Sequence, residues 1–268
     1  MHPTPAARRI WGLMYRHLVL YRTSWPRWFE SIYWPIVSML VWGFTSRFFA
    51  ARLGSPGIVA AGALLGGVIL WEVCLRSQMG FAVTFLEEIW SRNLGHLFVS
   101  PLRPAEMLMA FSGMALVRML IGVVPTALLA WLLYAFNVLR VGPEIVLFVV
   151  ALLVTGLAVG LLVVSLILRY GAGAEAMAWS VMFGMAPLSA IYYPLSVLPP
   201  AVRAAAVLLP TTHVFEGMRA SLIRGGIDWP QLGWAFGIDV IWLAFGFWVF
   251  LAQFQHARET GALVTIGE

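Results

Sequence analysis

The chain contains no lysine; the whole Lys+Arg total of 17 is arginine. A phosphate-binding loop of the form G-x-x-x-x-G-K-[ST] is therefore excluded within these 268 residues, and any ATP chemistry linked to this protein falls to another polypeptide. Cysteine is almost missing as well. Cys74 stands alone, so no intrachain disulfide can form. The five histidines, His2, His17, His96, His213 and His256, lie too far apart for local metal-ligand spacing, and no metal centre is expected. Charged residues are scarce, 11% against about 25% in soluble domains. Arg16 and His17 interrupt the first apolar residues, so no signal peptide is expected. Hydrolytic machinery is lacking too: His213 and Glu216 have Thr211 and Thr212 nearby but no convergent nucleophile and base. Gly171-Ala172-Gly173 follows no strand and reads as a turn, not a dinucleotide fingerprint.

What the chain does have is apolar surface. Hydrophobic residues make up 61%, and the mean hydropathy is +0.88. The runs are continuous, not alternating, which predicts an all-α polytopic membrane protein instead of a barrel. Six transmembrane helices are expected, at about 31–49, 56–81, 106–137, 145–168, 176–202 and 231–253. The third, at about 1.5 Å per residue, is roughly 48 Å long and must tilt or project. Pro187, Pro194, Pro199 and Pro200 break the fifth, predicting short re-entrant helices before the last span. The expected organisation is an amphipathic interfacial segment at 1–28, a six-span transmembrane domain at 29–254 and a tail at 255–268.

In the N-terminal segment Ile10, Leu13, Met14, Leu18 and Tyr21 share a face, with Arg9, Gly12, Arg16 and Thr23 opposite. Trp11, Trp25 and Trp28 suit a headgroup region, so the helix lies in the interface or packs on a partner. Five arginines precede the first span, placing the N-terminus in the cytoplasm. An even number of spans returns the C-terminus there.

The longest polar interruption between two apolar runs is 85–106. Leu86, Ile89, Leu94, Leu97 and Phe98 recur at helical spacing, with Glu87, Glu88, Arg92 and Asn93 turned elsewhere; Pro101 and Pro104 close the stretch. It reads as a short surface helix at about 86–98 able to receive a partner, or as a solvated loop. Glu72 and Arg76, one turn apart, are expected to pair within the membrane, with Arg118 and Asp239 extending the network, unless these charges snorkel to headgroups. Gly62/Gly66, Gly156/Gly160 and Gly233/Gly237 allow close helix packing. His213, Glu216 and Arg219 line one side of a helix after Pro210, either meeting an anionic cargo or facing water.

Two segments carry a resemblance. One joins Trp90-Ser-Arg-Asn-Leu to Leu97-Phe-Val-Ser-Pro-Leu-Arg-Pro-Ala-Glu106. The other joins Tyr192-Tyr-Pro-Leu-Ser-Val-Leu-Pro-Pro200 to Leu209-Pro-Thr-Thr-His-Val-Phe-Glu-Gly-Met-Arg219. Together they resemble the membrane subunit of type-2 ABC exporters, which serve polysaccharides, lipo-oligosaccharides and some drugs. The resemblance implies a permease of the inner (cytoplasmic) membrane without its own nucleotide site. ATP and Mg would sit on a separate ATP-binding subunit, and two permease copies, as a homodimer, would join two such subunits. It also implies that the coupling helix spans Glu87, Glu88, Trp90, Arg92, Asn93, Leu97 and Phe98, and that the N-terminal helix touches the same subunit. Tyr192, Tyr193, His213, Glu216 and Arg219 would lie along an extracytoplasmic exit at about 194–226. No nucleic-acid partner is expected, because the arginines are scattered between spans. The alternatives from composition alone are an ion- or proton-coupled secondary transporter using Glu72, Arg76 and Asp239, or a non-transporting scaffold.

Overall fold

The computed structural model describes residues 4–53, 55–137 and 142–259, with the side chains of 53–59, His96, Phe98, Val99 and Ala172 outside that description. Among the described residues every regular element is helical. α1 (Pro5–Thr23) opens on Thr4, whose hydroxyl accepts from the Ala7 amide, with Pro5 in the first turn. α2 (Trp25–Leu53) continues through Pro35. α3 (Ser55–Trp90) is followed by the short α4 (Leu94–Val99), then α5 (Pro104–Tyr134) and α6 (Ile145–Tyr170). α7 (Glu175–Met185) stops just before Pro187, and Pro200 and Pro210 each open a helix, α8 (Pro200–Ala206) and α9 (Pro210–Arg224). α10 (Trp229–Glu259) is the last described element, so the expected tail at 255–268 is helical through Glu259 and otherwise outside the described residues.

Four stretches are long and apolar enough to cross a membrane: Ala60–Trp90 within α3, then α5, α6 and α10. α7, at 11 residues, is roughly 16 Å long and cannot cross a 30 Å hydrocarbon layer as a helix alone. α3 is the hub, packing on α2, α5 and α6, while α6 joins α10. Gly156 and Gly160 make the α3–α6 approach possible, since a Cβ on Gly156 would lie 2.6 Å from the Cys74 carbonyl and one on Gly160 3.1 Å from Phe81. Gly233 and Gly237 have no described atom within 4 Å of such a Cβ, so that third pair joins nothing here. Phe81, Phe85 and Phe111 meet edge-to-face in the fully buried centre between α3 and α5.

Candidate functional site

The charges predicted near 87–98 are gathered differently from the expectation. Nothing in Phe85–Trp90 breaks a helix, so α3 runs on to Trp90 and carries Glu87 and Glu88 with it; only Leu94–Val99 forms a separate helix. The expected single element at about 86–98 is thus corrected to the end of α3, a turn and α4. Both carboxylates are directed into the protein toward α1. Arg16 Nη1 donates to both oxygens of Glu88 at 3.0 and 2.9 Å. His17, 1% exposed, places Nδ1 3.3 Å from Glu87 and Nε2 2.8 Å from Glu88, the second contact lying off the hydrogen-bonding direction. Arg118 Nη2 of α5 donates to Glu87 at 2.9 Å, and its guanidinium covers the Tyr21 ring. Arg9 forms a two-pronged pair with Glu106 at the start of α5. Burial disfavours a charged His17 ring, but the hydrogen bond to Glu87 and the Glu88 carboxylate outweigh it, holding the imidazole above its ordinary value.

α1 therefore belongs to the bundle through a clamp of ion pairs, with Leu13 and Tyr21 buried beside them. Trp11, Tyr15 and Val19, at four-residue spacing, form its exposed stripe. The expectation placed Arg9 and Arg16 opposite the apolar face, with no partner within the chain named for them. Their seven-residue spacing, two turns on one face, was the signal that they share a destination.

The turn after α3 has an unusual backbone. Arg92 adopts φ +52, the left-handed conformation normally taken by glycine or asparagine at a helix end. The Asn93 amide reaches back to the Glu88 carbonyl at 3.0 Å and the Arg92 amide to Ile89 at 2.8 Å, closing the helix. Asn93 Nδ2 also donates to Glu88 at 2.7 Å. Trp90, 53% exposed, and Arg92 point outward, whereas Leu97 packs against the core. The Phe98 side chain lies outside the described residues.

The four expected intramembrane charges do not form one network. Arg76 Nε donates to Glu72 at 3.1 Å, as the one-turn spacing predicts. Arg118 is taken by Glu87, and Asp239 accepts from Thr155 at 2.7 Å across the α6–α10 contact. At the opposite end Arg219 does not line a solvated edge. Its Nη1 donates to Glu216 at 2.7 Å, and its Nη2 reaches the carbonyls of Ala190 and, at 3.2 Å, Tyr193. Glu216 also accepts from the Leu195 amide at 2.8 Å. The pair staples the turns after α7, where Ala190 holds φ +56, and Arg219 satisfies backbone carbonyls there instead of forming a solvated polar edge. His213 bonds Gln231 and the Val207 carbonyl, Tyr192 stacks on Trp42, and the Tyr193 hydroxyl donates to Pro187.

A helical bundle with four membrane-length apolar helices among the described residues defines a polytopic membrane protein. The profile of the ABC-2 type transporter family matches residues 9–223. The chain belongs to that family and is a membrane-spanning permease component of an ABC transporter, a kind of subunit that works with an ATP-binding partner. No curated protein matches the chain.

Proposed function

We propose that this chain is the permease of an ATP-driven exporter of amphipathic or lipid-linked compounds, working as two copies with two ATP-binding subunits that hold ATP and Mg. The observation that carries the reading is the turn at Trp90–Asn93. Left-handed backbone at an arginine costs about 1–2 kcal/mol, and strain of this kind, held in place by the surrounding structure, clusters at functional sites. Trp90, Arg92 and α4 form the seat of the ATP-binding subunit. Glu87 and Glu88 act behind them, tying the seat to α1 and α5. ATP-driven closure of the partners would tilt this unit as a rigid body and alternate access to a path between the two permeases. α2 and the broken α7 region complete six crossings in the inner membrane. The arginines ahead of α2 favour both termini in the cytoplasm.

Arg92→Gly separates function from stability. Glycine relieves the backbone, so thermal stability should hold or rise, while co-purification of the ATP-binding subunit drops; a complex that assembles and hydrolyses ATP normally removes α4 from the interface. For orientation, single cysteines at 226 and 95 in a Cys74→Ala background should be modified and spared, respectively, by an impermeant thiol reagent in intact cells. The opposite labelling reverses the topology.

A further inference from the structure

Behind the clamp lies a small cavity of about 70 Å³, open in part to the outside, where α1, α2, α3, α5 and α7 converge. Its wall holds three guanidiniums, Arg27, Arg76 and Arg118, against two carboxylates, Glu30 and Glu87. Two of these guanidiniums are incompletely used. Arg118, nine-tenths buried, has no acceptor for Nε among the described residues. Arg27 Nη1 is likewise without a hydrogen bond, its nearest carboxylate oxygen on Glu87 being 3.4 Å away. Arg76 spends only Nε on Glu72 among the described partners. Buried N–H donors ordinarily find acceptors, and three guanidiniums lining one space suit the oxygens of a phosphate. Ser31 and Tyr21 add hydroxyls to the wall, and Trp179 forms a flat side of it.

We infer that this cavity binds a phosphate-bearing anion, with Arg27, Arg76 and Arg118 as its donors. The anion is the headgroup of a membrane-borne lipid or a free phosphate, the same chemistry from two sources. Glu30, exposed and without a partner among the described residues, repels the ligand from its side of the wall and weakens binding. The site deepens the transport reading by giving an anionic cargo or regulatory lipid a place. Its test uses the permease chain alone, so either idea can fail without the other.

The purified full chain in detergent is titrated with dioctanoyl phosphatidic acid, dioctanoyl phosphatidylcholine and inorganic phosphate, with affinity read by thermophoresis. Phosphatidic acid should bind at least roughly tenfold tighter than the choline lipid, as charge-assisted hydrogen bonds require. Arg27→Gln, on the most exposed of the three arginines, should lower that affinity by about tenfold, with Arg27→Lys intermediate and Glu30→Gln raising it. Val83→Phe fills the cavity without altering charge and should abolish the preference, which separates the site from attraction to surface arginines. Inorganic phosphate competing at the lipid's own affinity assigns the site to a free anion; phosphate failing to compete assigns it to a lipid headgroup. Equal binding of both lipids, or unchanged affinity in Arg27→Gln and Val83→Phe together, overturns the inference.

Discussion

Glu88→Gln keeps the shape of the side chain and removes its charge at the centre of the α1 clamp. Glu88 is fully buried; Arg16 and Asn93 donate to it, and the His17 ring lies 2.8 Å away as an ion-pair contact. Asn93 can still bond a glutamine oxygen and loses little. Arg16 is 38% exposed on its side chain and can turn to water, so its share is discounted to under about 1 kcal/mol. His17 cannot leave and would keep only its hydrogen bond to Glu87, an effect of about 1.5–2 kcal/mol for a buried charge that loses one of two carboxylates. The sum is about 2–3 kcal/mol on the undocking of α1, or roughly a hundredfold in its opening equilibrium.

Hydrogen exchange reads that equilibrium directly. Amides in the middle of α1 should exchange roughly a hundredfold faster in Glu88→Gln, while those of α6 and α10, remote from the clamp, keep their rates. If α1 amides remain as protected as in the parent chain, the helix is held by Leu13, Tyr21 and its interface contacts alone, and the ion pairs do not anchor it.

Three further outcomes follow from the same geometry. His17 titrates above its ordinary value of about 6.5, so the charged ring's stabilisation is complete below that pH and lost as pH rises through the raised folded value; α1 protection should fall at alkaline pH and the fall should vanish in His17→Gln. Arg219→Ala strips the carbonyls of Ala190 and Tyr193 of a donor and should cost about 2–3 kcal/mol, seen as a lower unfolding temperature that Arg219→Lys does not restore; an unchanged midpoint would remove the staple. Gly156→Ala forces a Cβ to 2.6 Å from the Cys74 carbonyl and should cost about 1–3 kcal/mol by overpacking, whereas Gly237→Ala, with open space, should be neutral in the same melt.

The long helices were readable because apolar periodicity and proline positions are local signals. α6 begins and ends within two residues of its expected bounds, and α7 stops where Pro187 follows. The Glu72–Arg76 pair was readable for the same reason, as partners one turn apart. The destination of Glu87 and Glu88 was not. Their apolar neighbours fit a short surface helix as well as the end of a long one, and their partners His17 and Arg16 lie 70 and 72 residues away. Arg219 was harder still, because it meets backbone carbonyls, which carry no residue-specific signal. A resemblance to known permeases places such segments in order along the chain but does not say which oxygen an arginine will find.

The pooled charges also bear on how motion would be passed inward. Glu87 binds α1 and α5 at once, Glu88 binds α1 and the turn leading to α4, and Arg9 closes the triangle through Glu106. Three helices joined at three separate pairs have little freedom to slide, so a push on Trp90 and Arg92 should move α1, α3 and α5 together. A test follows from replacing Arg9 and Glu106 with cysteines in the Cys74→Ala background and joining them with a short bismaleimide. If the three helices move as one body, a link within that body restrains nothing that has to move. The cross-linked complex should then hydrolyse ATP and transport at close to the rate of the same cysteine variant before linking. A rate that collapses on linking, and recovers when a cleavable reagent is cut, would mean that α1 shifts against α5 in each cycle, and the clamp would be a latch that opens, not a rigid joint.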